Sequence, residues 1–111
     1  PQKKRESRLE KEIREYAEAT GFWQAKFTSP GTPGVPDRVF IKHGLVLFME
    51  VKAEGKTPNK QQHIRMSEMK KHGAMVCWVS SFAAAKEWLD LFELYRRHRR
   101  EGVKLQRQQM H

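Results

Sequence analysis

Apolar positions along this chain follow two periods, one helical and one alternating, and the switches between them mark out the elements. From Glu6 to Thr20, Leu9, Ile13, Tyr16 and Ala17 recur on one helical face, and Gly21 stands as the C-terminal stop. Residues 22–27 read as a short first strand. Ser29-Pro30-Gly31-Thr32-Pro33-Gly34 holds two prolines and two glycines and predicts a loop. Two strands follow, about 37–42 and 45–52, joined at His43-Gly44, where a glycine accepts the positive φ of a tight hairpin. A polar turn over 54–58 leads to a second helix over 59–71, with Ile64, Met66 and Met69 apolar and Gly73 as its stop. Met75–Val79 reads as a buried strand. Ser80 or Ser81 caps a third helix carrying Phe82, Ala85, Trp88, Leu89, Phe92 and Tyr95, whose aromatic positions are expected in the core. Helix, three strands, helix, strand, helix implies an α/β sandwich with a mixed sheet.

The hairpin places chemistry. If Lys42 pairs with Leu45, Asp37 comes opposite Glu50 on one face of the sheet. Glu50 and Lys52 share that face because strand side chains alternate. The second hairpin strand is otherwise apolar on both faces, so it is expected to lie centrally. Opposed carboxylates at the end of such a strand are destabilising unless a cation sits between them. The alternative is a frayed strand end with solvated charges and Lys52 paired to Glu50.

Charge sharpens the picture. Twenty-two Lys and Arg against thirteen Asp and Glu give a net charge of +9 over 111 residues, a balance that favours nucleic acid as partner. The acidic pair runs against that trend. Basic residues available for phosphate contact are Lys3, Lys4 and Arg5 at the start, Arg38, Lys56 and Lys60 near the hairpin, and Arg96, Arg97, Arg99 and Arg100 in a basic tail over 96–111. The length suits one domain spanning 1–111, with its core over about 6–95. No apolar run approaches the roughly 18–20 residues of a membrane span, and the basic stretches lack an interfacial helix, so no membrane partner is expected. The single cysteine, Cys77, lies in an apolar run and reads as a buried hydrophobe, consistent with a reducing, cytoplasmic location.

Asp37, Glu50 and the main-chain carbonyl of Val51 are oxygen donors of the kind Mg²⁺ prefers. A bound divalent ion acidifies its water, and a lysine such as Lys52 can orient that water or stabilise charge growing on a phosphorane. Zinc does not fit, because the five histidines show neither HExxH nor Cys/His spacing. His63 reads as an ordinary exposed helix position near the site. No Gly-rich loop leads to GK[ST], which excludes a nucleotide cofactor of the P-loop kind.

Ser29-Pro30-Gly31, Gly34-Val35-Pro36-Asp37, Glu50-Val51-Lys52 and Pro58-Asn59-Lys60-Gln61-Gln62 together resemble the PD-(D/E)xK nuclease superfamily, and within it the VRR-NUC (virus-type replication-repair nuclease) family. The resemblance runs from about residue 6 to residue 79 and implies a restriction-endonuclease-like α-β-β-β-α-β-α core. It implies that Asp37 and Glu50 bind metal and that Lys52 assists catalysis. It also implies a glutamate from the first helix as a further metal ligand, Glu10 with Glu6 one turn earlier as the alternative, and a glutamine opening the second, either Gln62 or Gln61. The cofactor so implied is Mg²⁺, with Mn²⁺ substituting. Small stand-alone members resemble Holliday junction resolvases, which implies branched DNA, the four-way junction, as partner and a homodimer as the working unit. Val46, Phe48 or the third helix can supply the dimer contact. Two other readings are a flap or nicking endonuclease without junction preference, and a DNA-binding module without catalysis.

Overall fold

In the computed structural model, residues 6–109 are described; of Arg96 and of residues 98–109 only the backbone is. Helix α1 (Arg8–Ala19) precedes strands β1 (Trp23–Lys26), β2 (Arg38–Lys42) and β3 (Leu45–Val51), then α2 (Lys60–Lys71), β4 (Met75–Val79) and α3 (Phe82–Gln109). The sheet order is β1-β2-β3-β4, antiparallel for the first two pairings and parallel between β3 and β4. β3 is therefore central, as its two apolar faces predict.

The hairpin register is the predicted one. Lys42 pairs with Leu45 and the ladder runs to Arg38 opposite Met49, one rung short of Asp37 and Glu50. Asp37 lies just outside β2, and its carbonyl accepts from Phe27 N–H at 2.9 Å, on the β1 side. His43 (φ 52°) and Gly44 (φ 82°) both take positive φ, the requirement of a type I′ turn that matches strand twist.

Phe40, Leu47 and Met49 form one face of the sheet and are completely buried under α1 and α3, against Ile13, Ala17 and Leu89. β4 adds Cys77, whose burial pushes its thiol up to about 12 and leaves it an inert hydrophobe. α2 packs against β4 and covers the opposite face, with Met66 buried.

Three helix starts are capped. Ser7 and Glu10 form a capping box at α1, and Asn59 and Gln62 form one at α2. Ser81 Oγ accepts from Ala84 N–H at 3.1 Å, so Ser81 rather than Ser80 caps α3. The aromatic positions of α3 are not all core. Ala85, Leu89 and Phe92 face inward, whereas Trp88 and Tyr95 are 39% and 52% exposed. Apolar residues on α3 cover more than one helical face, and the sheet accommodates only one.

Candidate active site

Asp37, Glu50 and Lys52 open on one cleft of about 620 Å³, shared with Glu10, Lys26, Lys56 and Gln62. Each arrives from a different piece of local structure. Glu50 is near the end of β3 and is 8% exposed. Lys52 leaves the sheet just beyond, its N–H donating to Val79 O at 2.8 Å. Asp37 ends the proline–glycine loop, which is pinned to α2 at two points. Arg65 Nε donates to Pro33 O at 3.0 Å, and Gly34 (φ 87°) lies so close to α2 that an added Cβ would fall 2.9 Å from Gln61 O.

The capping box of α2 separates the two glutamines. Gln62 Oε1 accepts Asn59 N–H at 2.9 Å, while Gln62 Nε2 donates to Glu50 Oε1 at 3.3 Å. The cap thereby sets which end of the amide faces the carboxylate. Gln61 is exposed and lies against Gly34 outside the cleft lining, so Gln62 is the glutamine of the cleft.

The glutamates of the first helix divide in the same way. Glu10 lines the cleft, and Glu6 does not. Glu10 Oε2 receives Arg38 Nη2 at 3.0 Å and Arg38 Nε at 3.3 Å, and Lys26 Nζ stands 3.6 Å away. Glu6 is held by Arg14 and by Arg38 Nη2 at 2.6 Å. Burial, the largest influence on the Glu10 carboxyl, pushes its pKa up, but Arg38, Lys26 and the Ser7 N–H together bring it below the ordinary value. The Arg14 guanidinium, followed by Arg38, holds Glu6 below it as well, against partial desolvation.

Arg38 corrects one expectation. Read from sequence as a phosphate contact, it is 3% exposed and spends its guanidinium on Glu6, Glu10 and Gln24 Oε1. A buried, saturated guanidinium cannot reach a DNA backbone; it ties α1 to the sheet. Lys56, Lys60 and Arg97 are exposed as a phosphate contact requires. Lys3, Lys4 and Arg5 lie outside the described residues, as do the side chains of Arg96, Arg99 and Arg100. His63 is exposed and sets its ring edge-on to Trp78, 6.5 Å between centroids, and does not line the cleft.

Sequence reasoning did not single out Lys26. Its Nζ lies 3.6 Å from Glu10 Oε2 and 3.9 Å from Asp37 Oδ2. The signal was indirect: β1 pairs Lys26 with Arg38, and two cations opposed on a ladder call for an acid between them.

The oxygen donors fit a hard cation. Mg²⁺ takes one or two carboxylates and keeps several waters, which matches a pair such as Asp37 and Glu50 better than a closed cage. Among the described residues no group of three or more His, Cys, Asp or Glu side chains is gathered closely enough to hold a metal by itself.

The chain matches a solved structure titled "VRR_NUC domain" with 31% identity and a TM-score of 0.70, over 77% of this chain and 94% of that one. The chain belongs to the VRR-NUC family. Its mixed four-stranded sheet with three helices is the α/β, restriction-endonuclease-like fold of this nuclease family. A phage relative of the VRR-NUC chain, "Putative nuclease p44" of Acyrthosiphon pisum secondary endosymbiont phage 1, is 41% identical over 59 residues, or 52% of this chain. The chain spans 63% of the length of that curated relative. No family model matches. Among the described residues of this VRR-NUC domain, no helix is long and apolar enough to cross a membrane.

Proposed function

We propose that this VRR-NUC domain is a Mg²⁺-dependent endonuclease that hydrolyses phosphodiester bonds in branched DNA, the four-way junction above all, and works as a homodimer. The observation that carries this reading is the convergence of Asp37, Glu50, Lys52 and Gln62 on one cleft with Lys56 at its wall. Asp37, Glu50 and the Val51 carbonyl hold the metal, which when bound acidifies water and screens phosphate charge. Gln62 orients the Glu50 carboxylate through its second amide hydrogen bond. Lys52 positions the attacking water and stabilises the growing negative charge on the phosphorane oxygens. Lys56 and Lys60, both exposed, contact the backbone on either side of the cut without reading sequence.

The dimer reading is supported by the outward face of α3. Trp88, Leu91 and Tyr95 stand three and four residues apart and are exposed, an apolar stripe left uncovered among the described residues. Two copies related by a two-fold axis set two clefts in matched positions, which is what paired cuts across a pseudo-symmetric junction require.

Incubation of labelled four-way junctions with Mg²⁺ tests the reading. Symmetric paired nicks are expected, and Glu50→Ala or Lys52→Ala should each lower cutting by at least about a hundredfold with junction binding retained. Undiminished cutting by both variants would falsify the site. Equal cutting of junction, flap and plain duplex would favour a nicking enzyme, and binding with no Mg²⁺-dependent cutting would favour a non-catalytic DNA-binding module.

A further inference from the structure

Lys26 sets a positive charge between two carboxylates of the cleft. Its ammonium lies between Glu10 Oε2 and Asp37 Oδ2, at 3.6 and 3.9 Å, inside the same cleft as Glu50 and Lys52. Two-metal sites set their ions roughly 3.5–4 Å apart, bridged by a shared carboxylate. Here the outer flank of Asp37 that such a bridge would use faces an amine of the chain itself. Glu10, the only other cleft carboxylate among the described residues besides Asp37 and Glu50, is already committed: two Arg38 nitrogens and Lys26 meet its Oε2, and Oε1 receives the Ser7 N–H at 3.4 Å.

Resting on the metal-dependent reading above, we propose that Lys26 is a built-in counter-ion that restricts the site to one divalent cation, held by Asp37 and Glu50, with Glu10 acting as the anchor of Lys26 and not as a metal ligand. The β-ladder makes this a fixed feature. Lys26 and Arg38 are register partners, so their side chains leave the same side of the sheet and flank Glu10 together. Arg38, buried, keeps Glu10 from turning toward Asp37. Lys26, one-third exposed along its side chain, supplies a positive charge shared between Glu10 and Asp37.

The contrast with Lys52 is chemical. Both amines line the cleft, but Lys52 follows Glu50 by two residues, and it is Lys26 that pairs with Glu10 and Asp37. Lys26 is thus a positioning residue, and Lys52 is the amine available to substrate.

Mn²⁺ uptake by the full chain in the absence of DNA reads this directly, by titration calorimetry and by electron paramagnetic resonance of free Mn²⁺. Wild type should bind about one Mn²⁺ per chain, and Lys26→Met should bind about two, with spin coupling between neighbouring ions. Lys26→Arg, which keeps the charge, should retain the wild-type stoichiometry, and thermal melting of both variants confirms that each is folded. Two ions in wild type would overturn the proposal, because Lys26 would then be yielding its place. An unchanged single ion in Lys26→Met would also overturn it. Absence of Mn²⁺ uptake by wild type would instead remove the metal-dependent reading, and the proposal with it. Uptake lost in Asp37→Asn but retained in Glu10→Gln supports the assignment of Glu10 as anchor; loss in both overturns it.

Discussion

One amide joins Gln62 to Glu50: the side chain that closes the cap of α2 through Asn59 N–H also donates to Glu50 Oε1 at 3.3 Å. Helix start and candidate metal ligand are therefore coupled, and two substitutions separate them. Gln62→Ala removes both contacts and should cost about 1 kcal/mol of stability, the usual value of a capping interaction. Gln62→Glu keeps the return bond to the cap but sets a second carboxylate beside Glu50. Its melting temperature should fall without divalent ions and recover when Mg²⁺ is added, whereas that of Gln62→Ala should recover no more than wild type gains. Thermal denaturation with and without Mg²⁺ decides, and equal responses in the two variants would sink the coupling.

Arg38 is the centre of an acid-sensitive bridge. Removing its charge leaves Glu6 and Glu10 facing each other at the buried end of β2. Glu6 is partly exposed, so the lower end of the range for breaking a buried ion pair applies, about 3 kcal/mol for Arg38→Met near neutral pH. Both carboxyls are held below their ordinary value of 4.5 in the folded state. A depressed folded pKa adds stability above the unfolded value and loses it as pH falls through the folded one. The stability gap between wild type and Arg38→Met should therefore be full at pH 6–7 and shrink from about pH 4.5 downward. Urea unfolding at several pH values measures it; a gap that widens in acid would contradict this account.

These two residues also mark the edge of what the chain discloses before folding. The hairpin register was legible because His43-Gly44 admits one tight turn and the apolar run of β3 admits one depth of burial. The convergence of Asp37, Glu50 and Lys52 followed from that local geometry alone. The choice of Gln62 over Gln61 was legible in principle, since Asn59-x-x-Gln62 is a capping box and only its fourth residue turns back toward the sheet. Ser7-x-x-Glu10 is the same signature at α1. Arg38 was misread because a basic residue beside a candidate site carboxylate looks the same whether it faces DNA or the core. Its burial is decided by α1 crossing the strand end, a tertiary event. Trp88 and Tyr95 were misread for a related reason: periodicity shows that a helix has apolar faces, but not how many of them its own sheet will cover.

Gly34 fixes the distance between the proline–glycine loop and α2. Its φ of 87° is open to glycine and strained for alanine, and the new Cβ would meet Gln61 O at 2.9 Å, against backbone that has no rotamer to yield. Gly34→Ala should lose about 2–4 kcal/mol, since strain and overlap add. Asp37 ends the same loop, so cutting should fall further than the folded fraction does. Denaturant midpoints set beside junction-cleavage rates check this, and a variant of wild-type stability would show that the loop has room to move.

The apolar stripe on α3 gives the proposed homodimer a specific test. The helix runs to Gln109, about 25 Å beyond Phe92, the last inward-facing position among the described side chains. A helical extension of that length is marginal alone in water and gains its stability from packing. Tyr95, with Trp88 and Leu91 in the turns just before the extension, offers an exposed apolar face for such packing. Sedimentation equilibrium at micromolar concentration should report a dimer for wild type and a monomer for the double variant Trp88→Glu, Leu91→Glu, because two carboxylates per copy would oppose their symmetry mates across the axis. The monomer should still take up Mn²⁺ through Asp37 and Glu50, since the stripe and the cleft lie on different elements. It should lose paired junction cuts in favour of single nicks. A wild-type chain that stays monomeric would overturn the homodimer, a double variant that stays dimeric would place the contact elsewhere, and retention of paired cuts by a monomer would separate junction resolution from dimerisation altogether.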